Sequence, residues 1–368
     1  MTSRPSLPNT GTDPRLAADP LGLRAQRTRL AMWLGVSGVI AVGVMVAGIV
    51  AGPAAVAPAD VLRIIASNVA GHPSDAALSV DEAIVWQIRA PRVVLAAAVG
   101  AGLALAGVVL QAVVRNVLAD PYVLGINSGA SCGAAAALLF GFGAGFGDYA
   151  LQTCAFFGAA AASALVFAVA RGAGRLSSVR LLMAGVAVGY ALAACTSFLV
   201  FASDSTEGAR TVLFWLLGSL GLAAWNGPLA AVVLAVGTAL ALGMFFGRRI
   251  DVLSAGDDAA RALGIDPDRL RLALVAGVCV LVGILVAMAG SIGFVGLVVP
   301  HLARLAVGGT HRALIPVSAL FGAILLVASD ILARTVLAPQ EIPIGIVTAV
   351  LGAPFLLILV RRMTTVRF

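Results

Sequence analysis

The chain has 368 residues, 61% of them hydrophobic and 11% charged, with a mean hydropathy of +1.05 and a formal net charge of +7. A soluble domain has no interior able to hide that much apolar surface, and the uncharged runs have the ~20 residues an α-helix needs to cross ~30 Å of hydrocarbon. All 24 basic residues are arginine, which excludes a phosphate-binding P-loop and Schiff-base catalysis because both need lysine; any ATP used must be hydrolysed on another chain.

Residues 1–29 hold five Arg and, before position 15, three Pro, and read as a disordered cytoplasmic tail. Leu30 to Ala51 is the first uncharged run. A secretory signal is the competing reading, since Ala55-Val56-Ala57 resembles a cleavage site. At 22 residues the run exceeds the usual h-region of about 7–15, so an uncleaved span is expected. Further runs lie at Val93–Val114, Tyr122–Gly147, Tyr149–Ala170, Leu181–Ser203, Asn226–Gly247, Leu272–Ala303, Ala313–Ser329 and Ile342–Val360.

Leu272–Ala303 would be ~48 Å long as one straight helix, more than a membrane needs. Gly290, Gly293, Gly296 and Pro300 mark where it breaks. Arg171, Arg175 and Arg180 form one basic cluster, the arginines from Arg248 to Arg271 a second, and Arg361, Arg362 and Arg367 a third. Placing all three and the tail on the cytoplasmic side requires even numbers of crossings between them. Only a split of 272–303 satisfies this. The expectation is an all-α polytopic membrane protein with ten transmembrane helices over residues 30–362, both termini cytoplasmic, and a cytoplasmic end at 363–368. Thr211–Trp225 then lies outside as an interfacial or partly inserted helix bounded by Trp215 and Trp225.

Cys132, Cys154, Cys195 and Cys279 each sit alone in an apolar run and read as small buried hydrophobes. His72, His301 and His311 lack metal-binding spacing, so no metal or cofactor is expected. Asp330 is the acid placed deepest in the apolar runs and a functional candidate on that ground, but Arg334 at i+4 offers a structural partner. Between the sixth and seventh spans, L-S-A-G-D-D-A-A-R-A-L-G from Leu253 reads as a short helix. Asp257 and Asp258 suit its first turn, Gly264 stops it, and Leu253, Ala260 and Leu263 share one apolar face beside Arg261.

The stretches R-A-P-R from Arg89, G-A-G-L-A-L-A-G-V-V-L-Q from Gly100, R-N-V-L-A-D-P-Y-V-L-G-I-N-S-G-A from Arg115, A-A-R-A-L-G-I from Ala259, G-S-I-G-F-V-G-L-V-V-P-H-L-A-R from Gly290, S-D-I-L-A-R and E-I-P-I-G-I-V-T-A-V-L-G-A-P-F together resemble the FecCD-type permease family, importers of ferric siderophores, haem and vitamin B12. Val117 departs from the proline that relatives carry in that turn. The resemblance implies a ten-helix permease of the inner (cytoplasmic) membrane, surrounded by membrane lipid. Its implied partners are a second permease subunit as homo- or heterodimer, two ABC ATPase subunits and a substrate-binding protein, with no nucleic acid.

The resemblance also implies roles. Arg89, Arg92 and Arg334 would dock acidic knobs of the binding protein, the alternative being interfacial snorkelling. Asn116, Leu118, Ser178 and Val179 match cytoplasmic gate positions, the alternative being helix capping. The loop at 248–271, with Leu253, Ala260, Arg261, Leu263 and Gly264, would couple to the ATPase. The expected function is import of a bulky iron chelate, with ferric siderophores foremost and haem or vitamin B12 as alternatives. A proton-coupled secondary transporter using Asp330 is the competing class. An intramembrane enzyme lacks any catalytic constellation.

Overall fold

The computed structural model describes residues 23–71, 80–171 and 178–365, and its regular elements are helices. Positions 1–22 of the expected tail lie outside the described residues, as do His72, Arg175 and residues 366–368. α1 spans Leu23–Val50, beginning seven residues ahead of the expected run, so Arg24, Arg27 and Arg29 sit on its first turns. α2 spans Pro58–Val69, with proline at its first position and Val61 buried against Val56 and Val85. A short turn, Val80–Glu82, and a π-helical stretch, Ala83–Arg89, lead directly into α3, Ala90–Val114.

The remaining helices are α4 (Ile126–Phe140), α5 (Ala150–Arg171), α6 (Ser178–Phe201), α7 (Thr206–Leu216), α8 (Gly227–Ala255), α9 (Asp257–Ala262), α10 (Pro267–Ala289), α11 (Val295–Val307), α12 (His311–Thr335) and α13 (Ile344–Thr365). Seven helices among the described residues are long and apolar enough to cross a membrane; α4, α11 and residues Ile344–Leu359 of α13 are shorter apolar helices.

α3 is the axis of the bundle, buried along most of its length and packed on α8, α10, α11 and α12. Lipid gives helices no hydrophobic drive to associate, so they hold together by close packing at small residues. A Cβ on Gly100 would run into the Gly322 carbonyl of α12, and one on Gly107 into the Gly296 carbonyl of α11. Outward positions remain apolar: Val39, Leu234 and Phe245 are each at least 70% exposed, the pattern of a surface solvated by acyl chains.

The 32-residue run splits as expected. α10 ends at Gly290, α11 starts after Phe294, and both residues take positive φ (65° and 68°). Broken backbone inside a bilayer must find internal partners. Ser219 N donates to Ala289 O at 2.9 Å, while the Tyr122 hydroxyl donates to Ile292 O at 3.1 Å and accepts from Ile292 N at 3.0 Å.

Two expected elements are corrected. Tyr122–Gly147 is not one helix: a 3₁₀ turn, Pro121–Leu124, is capped by Asp120, Gly125 turns left-handed, and α4 stops at the left-handed Gly141. The helix expected at Thr211–Trp225 runs instead over Thr206–Leu216, because Ser205 caps it by accepting from Gly208 N at 2.9 Å. It buries Trp215 rather than leaving it at an interface. Leu217 O accepts from Gly345 N at 3.0 Å, tying the end of α7 to the start of α13.

Candidate functional site

Polar side chains gather at the two ends of α3. At its N-terminal end, α1 finishes with unpaired carbonyls and the negative end of its dipole. Two arginines from elsewhere in the chain supply the missing donors. Arg334 donates to Gly48 O and Ala51 O at 2.8 Å each, and Arg89 donates to Ile49 O at 3.1 Å, Val50 O at 2.9 Å and to Ala54 O. Asp330, fully buried, accepts from Arg334 Nε and Arg92 Nε at 2.9 Å each, and Arg92 also pairs with Glu341 at 2.9 Å. The pairing of Asp330 with Arg334 matches the structural reading, and Arg92 joins it as a third member.

This placement changes the outer-arginine picture. Arg89 and Arg334 are each 3% exposed and committed to their own chain, so neither offers a free guanidinium fork for a carboxylate of the binding protein. The Arg92 side chain retains 12% exposure, and Glu341 beside it 48%.

At the C-terminal end of α3, Arg115 takes φ 55° and its side chain reaches the α8–α9 connection. Its Nε donates to Leu253 O at 3.2 Å and its guanidinium clasps Asp257, which Arg271 also holds at 2.9 Å. Burial pushes the Asp257 carboxyl up, but Arg271 and Arg115 together outweigh it and hold the group below the usual carboxylate range. Nearby, Asp251 accepts from His311 N at 2.9 Å, and its carboxylate lies 2.6 Å from His311 Nδ1. Gln111 bonds Gly296 O at 3.3 Å and accepts from Arg304.

Leu253–Gly264 is not one short helix. Leu253 belongs to α8, Gly256 at φ 137° breaks the chain, and α9 is six residues long. Leu253 and Ala260 are fully buried on their own chain whereas Leu263 is 66% exposed, so the three do not form one outward face. Arg261 is exposed and pairs with Asp258 at 3.2 Å, and Gly264 takes φ 73°.

Among the gate positions, Asn116 Oδ1 accepts from Leu118 N at 2.9 Å and Asn116 O from Ala119 N at 3.1 Å. These two bonds close a side-chain turn across Val117. Ser178 begins α6 and Val179 is 67% exposed. The sequence pointed to no partner for Arg115, Arg271, Glu341 or Asp251, because only the fold brings them to their partners. Among the described residues, no group of three His, Cys, Asp or Glu side chains is placed to hold a metal ion.

The chain is 45% identical over 281 residues to the cobalamin import system permease protein BtuC of Halobacterium salinarum, a match covering 76% of this chain and 74% of that one. It is 41% identical over 282 residues to the hemin transport system permease protein HmuU of Yersinia pestis, covering 76% and 83%. The Fe(3+)-citrate import system permease protein YfmD of Bacillus subtilis is 38% identical over 284 residues, covering 77% and 83%. A solved inward-facing structure of a metal-chelate type ABC transporter superposes with a TM-score of 0.76 at 31% identity, covering 90% of this chain and 99% of that one. With the FecCD transport family model matching residues 45–362, the whole helical bundle from the last turn of α1 onward, the chain belongs to that family.

Proposed function

We propose that this chain is the translocation subunit of an ATP-driven importer, with α4, α11 and α13 completing ten membrane crossings and both termini on the cytoplasmic side. The observation that carries it is the use of α3 as one buried shaft. Its N-terminal end holds the Arg92–Asp330–Arg334 cluster, and through Arg115 its C-terminal end grips the α8–α9 connection. A binding protein docks at the first end, with Arg92 nearest to solvent and Arg89 and Arg334 as buried braces. The ATPase docks at the second, on Leu263, Arg261 and Gly264, which Leu253 and Ala260 anchor from inside. Asn116, Leu118, Ser178 and Val179 form the cytoplasmic gate where helices end.

The cargo is a bulky iron chelate of the ferric siderophore class, in keeping with relatives named for Fe(3+)-citrate and hemin. A cobalamin cargo is the second reading, favoured by the 45% identical relative. Proton-coupled carriage by Asp330 has little support, because both carboxylate oxygens are engaged by guanidinium donors inside the bundle. The test is transport into proteoliposomes holding this permease, its second subunit and its ATPase, supplied with binding protein and radiolabelled ferric siderophore, haem or cobalamin. ATP-dependent uptake of the siderophore is expected. Uptake that follows a proton gradient without ATP refutes the importer reading, and uptake of cobalamin alone replaces the cargo.

A further inference from the structure

α8 and α10 splay apart over α3 and leave a cavity of about 1210 Å³, more than the roughly 300–1,000 Å³ of clefts that hold small molecules. Its walls are apolar, with Leu105, Leu242, Phe246, Gly277, Val280 and Leu281 among them. Leu242 and Val280 are 51% and 53% exposed, so the groove opens sideways, toward the surroundings of the bundle. Along α8 it reaches from Ala235 to Ile250, about 23 Å at 1.5 Å per residue. Half of a ~30 Å hydrocarbon core plus the adjoining headgroup layer has that depth.

One end of the groove carries its charge. Arg249 and Arg269 line it there together with Asp266. Arg249 lies over the Phe246 ring at 5.4 Å, which fixes its guanidinium at the rim. Arg269 Nε forms an ion pair with Asp266 at 3.2 Å, and its side chain is 90% exposed, which leaves the guanidinium open to an incoming headgroup. Two guanidinium groups against one already paired carboxylate make a cationic mouth above an apolar slot.

We infer that this groove binds one anionic phospholipid, with acyl chain between α8 and α10 and phosphate between Arg249 and Arg269. Guanidinium recognises phosphate by paired charge-assisted hydrogen bonds, and basic pockets between transmembrane helices select anionic headgroups. A zwitterionic lipid would bring a second cation to a mouth that is already positive. Leu263, Gly264 and Ile265, the link between α9 and α10, also line the groove. A bound lipid therefore braces the far end of α9, whose near end Arg115 holds through Asp257.

Native mass spectrometry of the full chain, released from mild detergent after incubation with dioleoyl-phosphatidylglycerol or dioleoyl-phosphatidylcholine, tests this. The expected result is at least fivefold greater retention of phosphatidylglycerol than of phosphatidylcholine. The Arg249→Gln/Arg269→Gln double variant should bring the two lipids to parity. Gly277→Phe, at a position where a Cβ meets open space, should fill the slot and lower retention of the anionic lipid without disturbing the fold. Equal retention of both lipids by the unaltered chain overturns the inference, and so does a preference for phosphatidylglycerol that survives the double variant, or phosphatidylglycerol retention that is unchanged in Gly277→Phe. If one variant fails to fold, the other decides.

Discussion

Arg115, the residue that ends the central helix α3, clasps Asp257, the first residue of α9, across 142 positions of sequence. Arg271 from α10 holds the same carboxylate oxygen. One acid thus joins the shaft of the bundle to both sides of the α8–α10 connection. A six-residue helix has almost no stability of its own in water; here it is pinned by charge and by the buried Ala260.

Asp257→Asn should loosen that connection by about 2 kcal/mol, the scale of a hydrogen bond to a charged group. The pH dependence follows from the depressed pKa. Its contribution is complete above the unfolded value near 3.9, and is lost as pH falls through the lower folded value. Amide exchange across residues 253–264, corrected for its intrinsic pH dependence, should therefore show protection that is flat from about pH 5 to 8 and falls only below about pH 4. The variant should exchange faster throughout.

Leu263→Asp places a charge on the exposed apolar side chain at the end of α9. Co-purification with the ATPase should fall at least tenfold, while expression and binding-protein affinity stay unchanged. Normal co-purification together with normal transport removes Leu263 from the coupling surface.

Asp330→Asn leaves two guanidinium groups without their shared carboxylate at a fully buried position. Breaking a buried pair from one side costs about 3–5 kcal/mol. The melting temperature of the purified chain should drop by several degrees, a loss that Arg334→Lys reproduces in part because lysine lacks the fork that caps α1.

Arg92→Glu tests the docking end with less damage than changes at Arg89 or Arg334, since Arg92 is the one of the three with appreciable exposure. Affinity for the binding protein should weaken at least tenfold with the ATPase still bound. Unchanged affinity would confine Arg92 to bracing Asp330.

Cys132 on α4 and Cys195 on α6 lie with their sulfurs 3.4 Å apart. Mild oxidation with copper phenanthroline should link them, giving one cross-linked peptide pair by mass spectrometry and no link in the Cys132→Ser variant. Continued alkylation of both thiols after oxidation would contradict the packing of α4 on α6.

Much of the architecture was legible in the sequence, because the physical signal is local. Uncharged runs long enough for a bilayer form helices wherever they occur, since each helix satisfies its backbone within itself. Placing the arginine clusters on one side of the membrane requires an even number of crossings between them, so the division of residues 272–303 was expected from counting, and Gly290 marked its place. Helix ends were less certain. α1 starts early because its arginines are compatible with a helix, and α4 is short because Gly125 and Gly141 adopt left-handed backbone that hydropathy does not register.

The sites depended on contacts between residues far apart in sequence. The family resemblance pointed to Arg89, Arg92 and Arg334 as docking residues, yet only the fold shows two of them turned inward onto the carbonyls of α1. Cys132 and Cys195 looked solitary for the same reason. The sequence by itself determined the solvent, the helices and the break at Gly290, because hydrophobic length and backbone conformation are properties of consecutive residues. Which arginine meets which acid, which face of α9 is exposed, and where α8 and α10 part were decided by the tertiary structure, because charge pairing and close packing act through space.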